Sequence, residues 1–238
     1  MNLKILGFDQ DGSFANYVCL PENVIWKNDP LIPKDWGSLQ EPLGNAIDTV
    51  LAENVTGKTV LFTGCGPIGL LGIGVAKAAG ASEIFATDIN DYRLELALKM
   101  GATQIMNPGK VDVIEIIMDS TRGAGVEILI EMSGNAKAFA QGLEALTPGG
   151  FASLLGLYRE KKVPVDLNRQ IILKGIRLVG ITGRKIFATW NKTTQLLKSG
   201  QLNLDPVITH KFPLSDFEKG IHLMEKGTCG KIVLYPPD

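Results

Sequence analysis

One short glycine-rich segment, residues 64–69, constrains the fold of this chain more than any other feature. Its letters are G-C-G-P-I-G, which match the pattern G-x-G-x-x-G. An apolar run typical of a buried strand precedes it at 58–63, and a run rich in Gly and Ala with helical character follows it at 67–79. The pattern is informative in this context, because dinucleotide-binding units place it between a strand and a helix.

Each glycine of the segment has a separate predicted task. Gly64 permits the tight turn, Gly66 lets the backbone approach a pyrophosphate, and Gly69 lets the helix pack closely on the strand. Pro67 and Ile68 then occupy the first helical turn, where free N–H groups and the helix dipole favour a phosphate. A glycine turn that only packs a helix on a sheet, or one that serves another ligand such as a methyl donor, stays open as an alternative.

An acidic residue follows at the spacing that a dinucleotide site requires. Asp88 ends the second predicted strand, at about the 20-residue distance where a carboxylate accepts hydrogen bonds from the adenosine ribose. A carboxylate there repels a 2′-phosphate, which favours NAD over NADP. Arg93 lies nearby and is a candidate for stacking on adenine or contacting a phosphate. The alternative for Asp88 is a capping role at the next helix.

Strand-like and helical runs alternate from residue 58 to residue 181. This alternation predicts an α/β fold with a doubly wound parallel sheet covered on both faces. Predicted strands are 58–63, 83–87, 104–106, 126–130, 151–155 and 177–181, and predicted helices are 67–79, 91–100, 111–120 and 136–146. The flanks differ: 1–36 predicts irregular β structure with a strand at 14–20. The tail from 206 to 235 predicts strand, helix and strand, the helix opening with a capping box at 215–218.

Composition excludes several function classes. The 238 residues carry a net charge of −1, which gives no electrostatic footprint for nucleic acid or an anionic membrane. Three cysteines and two histidines stand apart in sequence and exclude a disulfide scaffold and a self-contained structural zinc site. Cys65, His210 and His222 are interpreted as packing residues. The odd number of thiols and the absence of a long apolar run favour a cytoplasmic protein.

The motifs together resemble the zinc-containing medium-chain alcohol dehydrogenases, and in several stretches the branch that oxidises L-threonine at C3. The stretches that carry the resemblance are 41–46, 90–97, 131–134, 183–184 with Trp190, 208–210 and 215–217. The resemblance implies that NAD is the cofactor and that a small secondary alcohol, L-threonine above all, is the substrate. It also implies a homo-oligomer in which a catalytic zinc polarises the substrate hydroxyl.

The resemblance also assigns roles to individual residues. Glu41 matches the family's carboxylate on or near the zinc, although an ordinary acid at a helix start is an equal interpretation. The backbone around Ser133, Leu155 and Ile181-Thr182 is expected to line the nicotinamide, and Arg184 falls in a cofactor and interface region.

The family's other zinc ligands, a Cys and a Gly-His-Glu motif, do not occur in this chain. The expected organisation is therefore a partial GroES-like β catalytic domain at 1–45, a Rossmann domain at 46–203, and a segment that returns to the catalytic domain at 204–238. Two hypotheses follow: an NAD-dependent dehydrogenase of the family, or an NAD-binding module that lacks catalysis because the zinc-bearing half is missing. A Rossmann enzyme without redox chemistry remains a third.

Overall fold

A computed structural model describes residues 4–183 and 185–237 of the chain. Eight strands and eight α-helices lie in these ranges. In chain order they are α1 Lys34–Gly37, α2 Gln40–Val50, β1 Thr59–Thr63, α3 Pro67–Ala78, β2 Glu83–Thr87, α4 Asp91–Met100, β3 Gln104–Met106, α5 Val113–Ser120, β4 Val126–Glu131, α6 Ala136–Ala145, β5 Leu146–Leu154, β6 Arg177–Gly180, α7 Ala188–Lys198, β7 Ile208–Pro213, α8 Phe217–Lys226 and β8 Lys231–Tyr235.

Six of the strands form one parallel sheet in the order β3-β2-β1-β4-β5-β6. The chain winds outward from β1 to β3, then returns to the centre and winds the other way from β4 to β6. This reversal between β1 and β4 is the switch point of a doubly wound fold. The predicted fold class is confirmed, and the carboxyl ends of all six strands meet at one edge.

Alternating side chains of the central strands build two separate cores, one on each face of the sheet. Val60 and Phe62 belong to the core that includes residues of α2, α3 and α4. Leu61, between them, belongs to the other core, with Ile117 of α5 and Leu143 of α6. Because both faces are covered, the strands read as continuous apolar runs in the sequence.

The segment before the sheet corrects one prediction. A strand at 14–20 was wrong: residues 14–20 form bends and irregular backbone, and Phe14 and Tyr17 are exposed. A strand needs a neighbour that accepts its backbone hydrogen bonds, and residues 4–39 pair only through one isolated bridge, between Leu6 and Gln10.

The tail forms a second, two-stranded sheet from β7 and β8, which are parallel and connected by α8. Its predicted order of strand, helix and strand is confirmed, but the capping box was wrong. A 3₁₀ turn at Leu214–Asp216 moves the helix start to Phe217, and no side chain caps the helix. The Asp216 carboxylate instead accepts a hydrogen bond from Lys219 Nζ at 2.8 Å.

Polar contacts attach the amino-terminal segment to the tail and to α7, whose Lys198 Nζ donates to the Asp29 carboxylate at 2.6 Å. The Asp35 carboxylate contacts both Lys211 Nζ and the Tyr235 hydroxyl. Trp36 Nε1 donates to Asp205 at 2.7 Å.

The predicted boundary between residues 45 and 46 falls inside α2, and the three domain limits stay a prediction. None of the helices in the described part of the chain has the length and apolar character that a bilayer crossing requires.

Lys174 stabilises the end of α6 from the connection before β6. Its Nζ donates to the carbonyl oxygens of Leu143, Glu144 and Leu146 at 3.0, 2.7 and 2.9 Å. These carbonyls end a helix, where partial negative charge accumulates and intrahelical donors run out. The ammonium group therefore satisfies three acceptors at once.

Lys174→Met keeps the aliphatic stem and removes these three bonds. We expect the free energy of unfolding to fall by about 1.5–3 kcal/mol, because hydrogen bonds to a charged group are lost at partly buried acceptors. Urea denaturation measures the change. The matched control is the exposed Lys162→Met, which we expect to change stability by no more than about 0.5 kcal/mol. Equal stabilities of the two variants would contradict this role for Lys174.

Candidate functional site

The residues predicted to bind the cofactor lie along the carboxyl edge of the large sheet. Gly64 directly follows β1, Asp88 follows β2, and Ser133 comes two residues after β4. Leu155 directly follows β5 and Ile181 directly follows β6. The fold therefore brings to one edge residues that are far apart in sequence. Arg184, which the resemblance placed in the same region, lies outside the described residues.

The glycine turn leaves space for a ligand at one position only. Gly64 has a φ of +93°, and a Cβ there would lie 2.9 Å from Ser133 Cα. A Cβ on Gly69 would lie 2.1 Å from the Gly64 carbonyl oxygen. A Cβ on Gly66, by contrast, would meet no atom within 4 Å. Gly64 and Gly69 are thus required by the protein itself, whereas the space over Gly66 is open to a ligand.

The amino terminus of α3 points its unsatisfied amides toward this space. Gly66 is the N-cap with extended backbone, Pro67 is the first helical residue, and no side chain caps the helix. Leu70 N donates to Gly66 O, which closes the first helical turn. The amides of Ile68 and Gly69 precede that bond, so helix geometry gives them no intrahelical acceptor. They are suited to binding an anion.

Asp88 faces the glycine turn from the neighbouring strand. Its Oδ2 accepts a hydrogen bond from Cys65 N at 2.8 Å, and its Oδ1 accepts one from Asn90 N at 2.9 Å. The N-cap of α4 is Asn90, whose side chain accepts from Arg93 N. Asp88 is therefore not the helix cap of the alternative interpretation. Each carboxylate oxygen retains further acceptor capacity for a ribose hydroxyl.

Cys65 and Arg93 complete the surroundings of Asp88. Burial, together with the nearby Asp88 charge, raises the pKa of the Cys65 thiol, and the opposing effect of Arg93 is smaller. The thiol therefore stays protonated and is not a nucleophile at neutral pH. Arg93 is half-buried, and its Nε has no hydrogen-bond partner among the described residues.

Glu131, the last residue of β4, has no role predicted from the sequence beyond its place in a stretch that carries the resemblance. Its side chain is fully buried, and its Oε1 accepts hydrogen bonds from the backbone N of Ser133 and Gly134 at 2.8 and 3.0 Å. The only signal in the sequence was a carboxylate within an apolar strand, followed by Ser and Gly. Its partners become apparent only in the fold.

The residues present do not fit a zinc ion. Glu41 lies at the start of α2 and is exposed. Nδ1 of His210 lies 2.9 Å from the hydroxyl of Thr209. Across residues 4–183 and 185–237, no three His, Cys, Asp or Glu side chains are grouped so that they could hold a metal ion. Structural and catalytic zinc sites take three or four such ligands.

Comparison with known proteins decides the family. The family model described as zinc-binding dehydrogenase matches residues 67–199. The L-threonine 3-dehydrogenase of Pyrococcus horikoshii is 52% identical over 233 residues, which cover 98% of this chain and 67% of that protein. The chain belongs to the zinc-type medium-chain dehydrogenase family. Its members are oxidoreductases, and the chain spans about two thirds of the length of the relatives it matches.

Other relatives agree. The L-threonine 3-dehydrogenase of Bacillus subtilis is 47% identical to this chain. The alignment covers 99% of this chain and 67% of that protein. Among solved structures, the 2R,3R-butanediol dehydrogenase of Bacillus subtilis superposes with a TM-score of 0.88 at 30% identity. The alignment covers 98% of this chain and 67% of that one.

A pair of alanine variants tests the two kinds of glycine. Gly66→Ala places a methyl group in open space, so we expect the free energy of unfolding to stay within about 1 kcal/mol of the parent chain. The same methyl would occupy the position predicted for the pyrophosphate, and we expect NADH affinity to fall at least about tenfold. Gly69→Ala overlaps the Gly64 carbonyl and should lower stability by about 1–3 kcal/mol.

Thermal denaturation and NADH fluorescence titration measure both effects. Undiminished NADH binding by Gly66→Ala would show that the pyrophosphate does not lie over this turn.

Proposed function

We propose that the chain is the cofactor-binding part of an NAD-dependent dehydrogenase that oxidises a secondary alcohol. The observation that carries this proposal is the open space over Gly66, bordered by the α3 amino terminus and by Asp88. Relatives named L-threonine 3-dehydrogenase, about half identical to this chain, support L-threonine as the substrate and 2-amino-3-oxobutanoate as the product.

Each part of the edge has a task in this proposal. The α3 amides bind the pyrophosphate, and Asp88 accepts hydrogen bonds from the adenosine ribose. Arg93 lies beside the adenosine half. The backbone around Ser133, Leu155 and Ile181-Thr182 lines the nicotinamide. NAD, when bound, would supply the hydride acceptor, and the protein's contribution would be to hold the nicotinamide in place.

A second function, an NAD-binding module without catalysis of its own, is favoured by the metal-ligand inventory. Glu41 is the one residue of the described chain that matches a family zinc ligand, and a single carboxylate does not hold zinc tightly. In this second function the chain alone binds NAD, and oxidation of an alcohol requires zinc ligands from elsewhere. The homo-oligomer and the cytoplasmic location stay predictions, based on the resemblance and on the three thiols.

Measurements on the chain alone and on a fusion separate the two functions. We expect the chain alone to bind NADH, retain less than stoichiometric zinc after dialysis, and form no NADH from NAD and L-threonine. A fusion that supplies the amino-terminal third of the Pyrococcus horikoshii relative before Met1 should contain zinc and oxidise L-threonine.

Two outcomes of these measurements would contradict the proposal. A fusion that binds zinc and NAD but oxidises butane-2,3-diol and not L-threonine would refute the substrate. A chain that binds no NADH at millimolar concentration would refute both functions.

The charge of Asp88 should set the choice between NAD and NADP. Asp88→Asn keeps one acceptor oxygen for the local backbone and removes the charge that repels a 2′-phosphate. We expect the parent chain to bind NADH at least about tenfold more tightly than NADPH, and the variant to lose most of that preference. Fluorescence titration with both cofactors measures the ratio.

The matched control is Asp91→Asn on the neighbouring helix, which removes an exposed carboxylate held by Lys110 at 2.5 Å. It should leave the ratio unchanged. An unchanged ratio in Asp88→Asn as well would place the ribose away from this strand.

A further inference from the structure

Glu131 is a buried carboxylate at the centre of the carboxyl edge, and packing alone does not explain it. Its exposed fraction is 0%, and it ends β4, the strand beside the glycine turn. An ionised carboxylate is costly to bury unless hydrogen bonds compensate for the lost water. Apart from the Thr63 hydroxyl on the neighbouring strand β1, which lies 3.5 Å from Oε1, the partners that compensate this one are in the loops of the proposed cofactor site.

The side chain holds the loop after β4. Its Oε1 accepts from Ser133 N at 2.8 Å, from Ser133 Oγ at 2.5 Å and from Gly134 N at 3.0 Å. The Ser133 backbone in turn packs against the glycine turn, since a Cβ on Gly64 would lie 2.9 Å from it. The carboxylate therefore fixes how the Ser133 loop borders the turn.

The backbone of the same residue holds the loop after β5. The Glu131 carbonyl oxygen accepts from Leu155 N at 2.9 Å and from Gly156 N at 3.2 Å. Gly156 of the second loop packs tightly against Gly134 of the first loop and against the Glu131 side chain. A Cβ added to Gly156 would lie only 2.3 Å from Gly134 N and 2.5 Å from Glu131 Oε2. One residue thus joins both loops into a single surface.

The second carboxylate oxygen extends this arrangement toward Tyr158. Oε2 and the Tyr158 hydroxyl are both buried, and neither has a hydrogen bond of normal geometry in the described structure. Burial, and after it the Glu131 charge, raises the pKa of Tyr158, so the hydroxyl keeps its proton near the carboxylate. The Tyr158 ring is itself fixed against Phe139, with ring centroids 6.0 Å apart.

We propose that Glu131 is a positioning residue for the nicotinamide half of the cofactor. It holds the Ser133-Gly134 and Leu155-Gly156 loops in the one arrangement that the nicotinamide ring contacts, and it touches no cofactor atom itself. This inference rests on the proposed NAD site. It adds that the two halves of the cofactor depend on different residues, because the adenosine half lies across the turn at Asp88.

The test compares NADH with ADP-ribose, which lacks the nicotinamide ring. Glu131→Ala leaves the Ser133 and Gly134 amides without their acceptor, and Glu131→Gln keeps an acceptor oxygen in the same place. We expect Glu131→Ala to weaken NADH at least about tenfold and ADP-ribose no more than about threefold. Glu131→Gln should restore NADH binding to within about threefold of the parent chain.

Glu127→Gln is the matched control, on the same strand but at the opposite edge of the sheet. Its exposed carboxylate accepts only from Thr59 N among the hydrogen bonds described, at 3.1 Å. It should change neither dissociation constant by more than about twofold. Isothermal titration calorimetry on the whole chain gives both constants, and circular dichroism checks that each variant is folded.

The outcomes separate the inference from the proposed function. Equal losses for NADH and ADP-ribose in Glu131→Ala, or no loss for either, overturn the positioning role while leaving the NAD site intact. If Glu131→Ala does not fold, Ser133→Ala decides; it removes the short Oγ contact to Glu131 and the hydrogen bond that Oγ accepts from Asn135 N at 3.1 Å, and it keeps both backbone amides that bind the carboxylate. A drop in the preference for NADH over ADP-ribose of about threefold or more supports the role, and an unchanged preference overturns it. A parent chain that binds neither ligand refutes the proposed function itself.

Discussion

The parallel pairing of β1 with both β2 and β4 is the constraint on which the rest of this structure depends. Parallel strands present all their carboxyl ends at one edge, and the reversal of winding between β1 and β4 opens a crevice there. The sheet is stable because each of its faces packs against helices in a separate core. The location of the candidate site follows from topology before any particular side chain is considered.

Within that crevice, backbone groups and two carboxylates both form the candidate site. The α3 amino terminus offers N–H groups to phosphates, and Asp88 and Glu131 hold the turns on its two sides through their own hydrogen bonds to backbone amides. Both carboxylates therefore shape the polypeptide as well as carrying charge. We propose that the adenosine half of the cofactor lies near Asp88 and the nicotinamide half near the loops that Glu131 holds.

The parts of the fold predicted from the sequence were those encoded locally. The glycine turn and the alternation around it depend on residues a few positions apart, so the order of strands and helices in the large sheet could be predicted. The strand at 14–20 could not be judged in this way, because a strand forms only where a partner accepts its hydrogen bonds. The role of Glu131 was equally hidden, since its partners come from two loops separated by a helix and a strand. The helix α7 was missed because its apolar residues are few and its start carries no capping side chain.

A crystal structure of this chain with NAD bound is the decisive measurement for the proposed cofactor site. We expect the pyrophosphate over Gly66, within hydrogen-bond distance of the Ile68 and Gly69 amides, with the adenosine ribose hydroxyls on Asp88. We also expect the nicotinamide against the loops that Glu131 holds. A cofactor bound away from the carboxyl edge, or one whose phosphates do not contact the start of α3, would refute the proposed site.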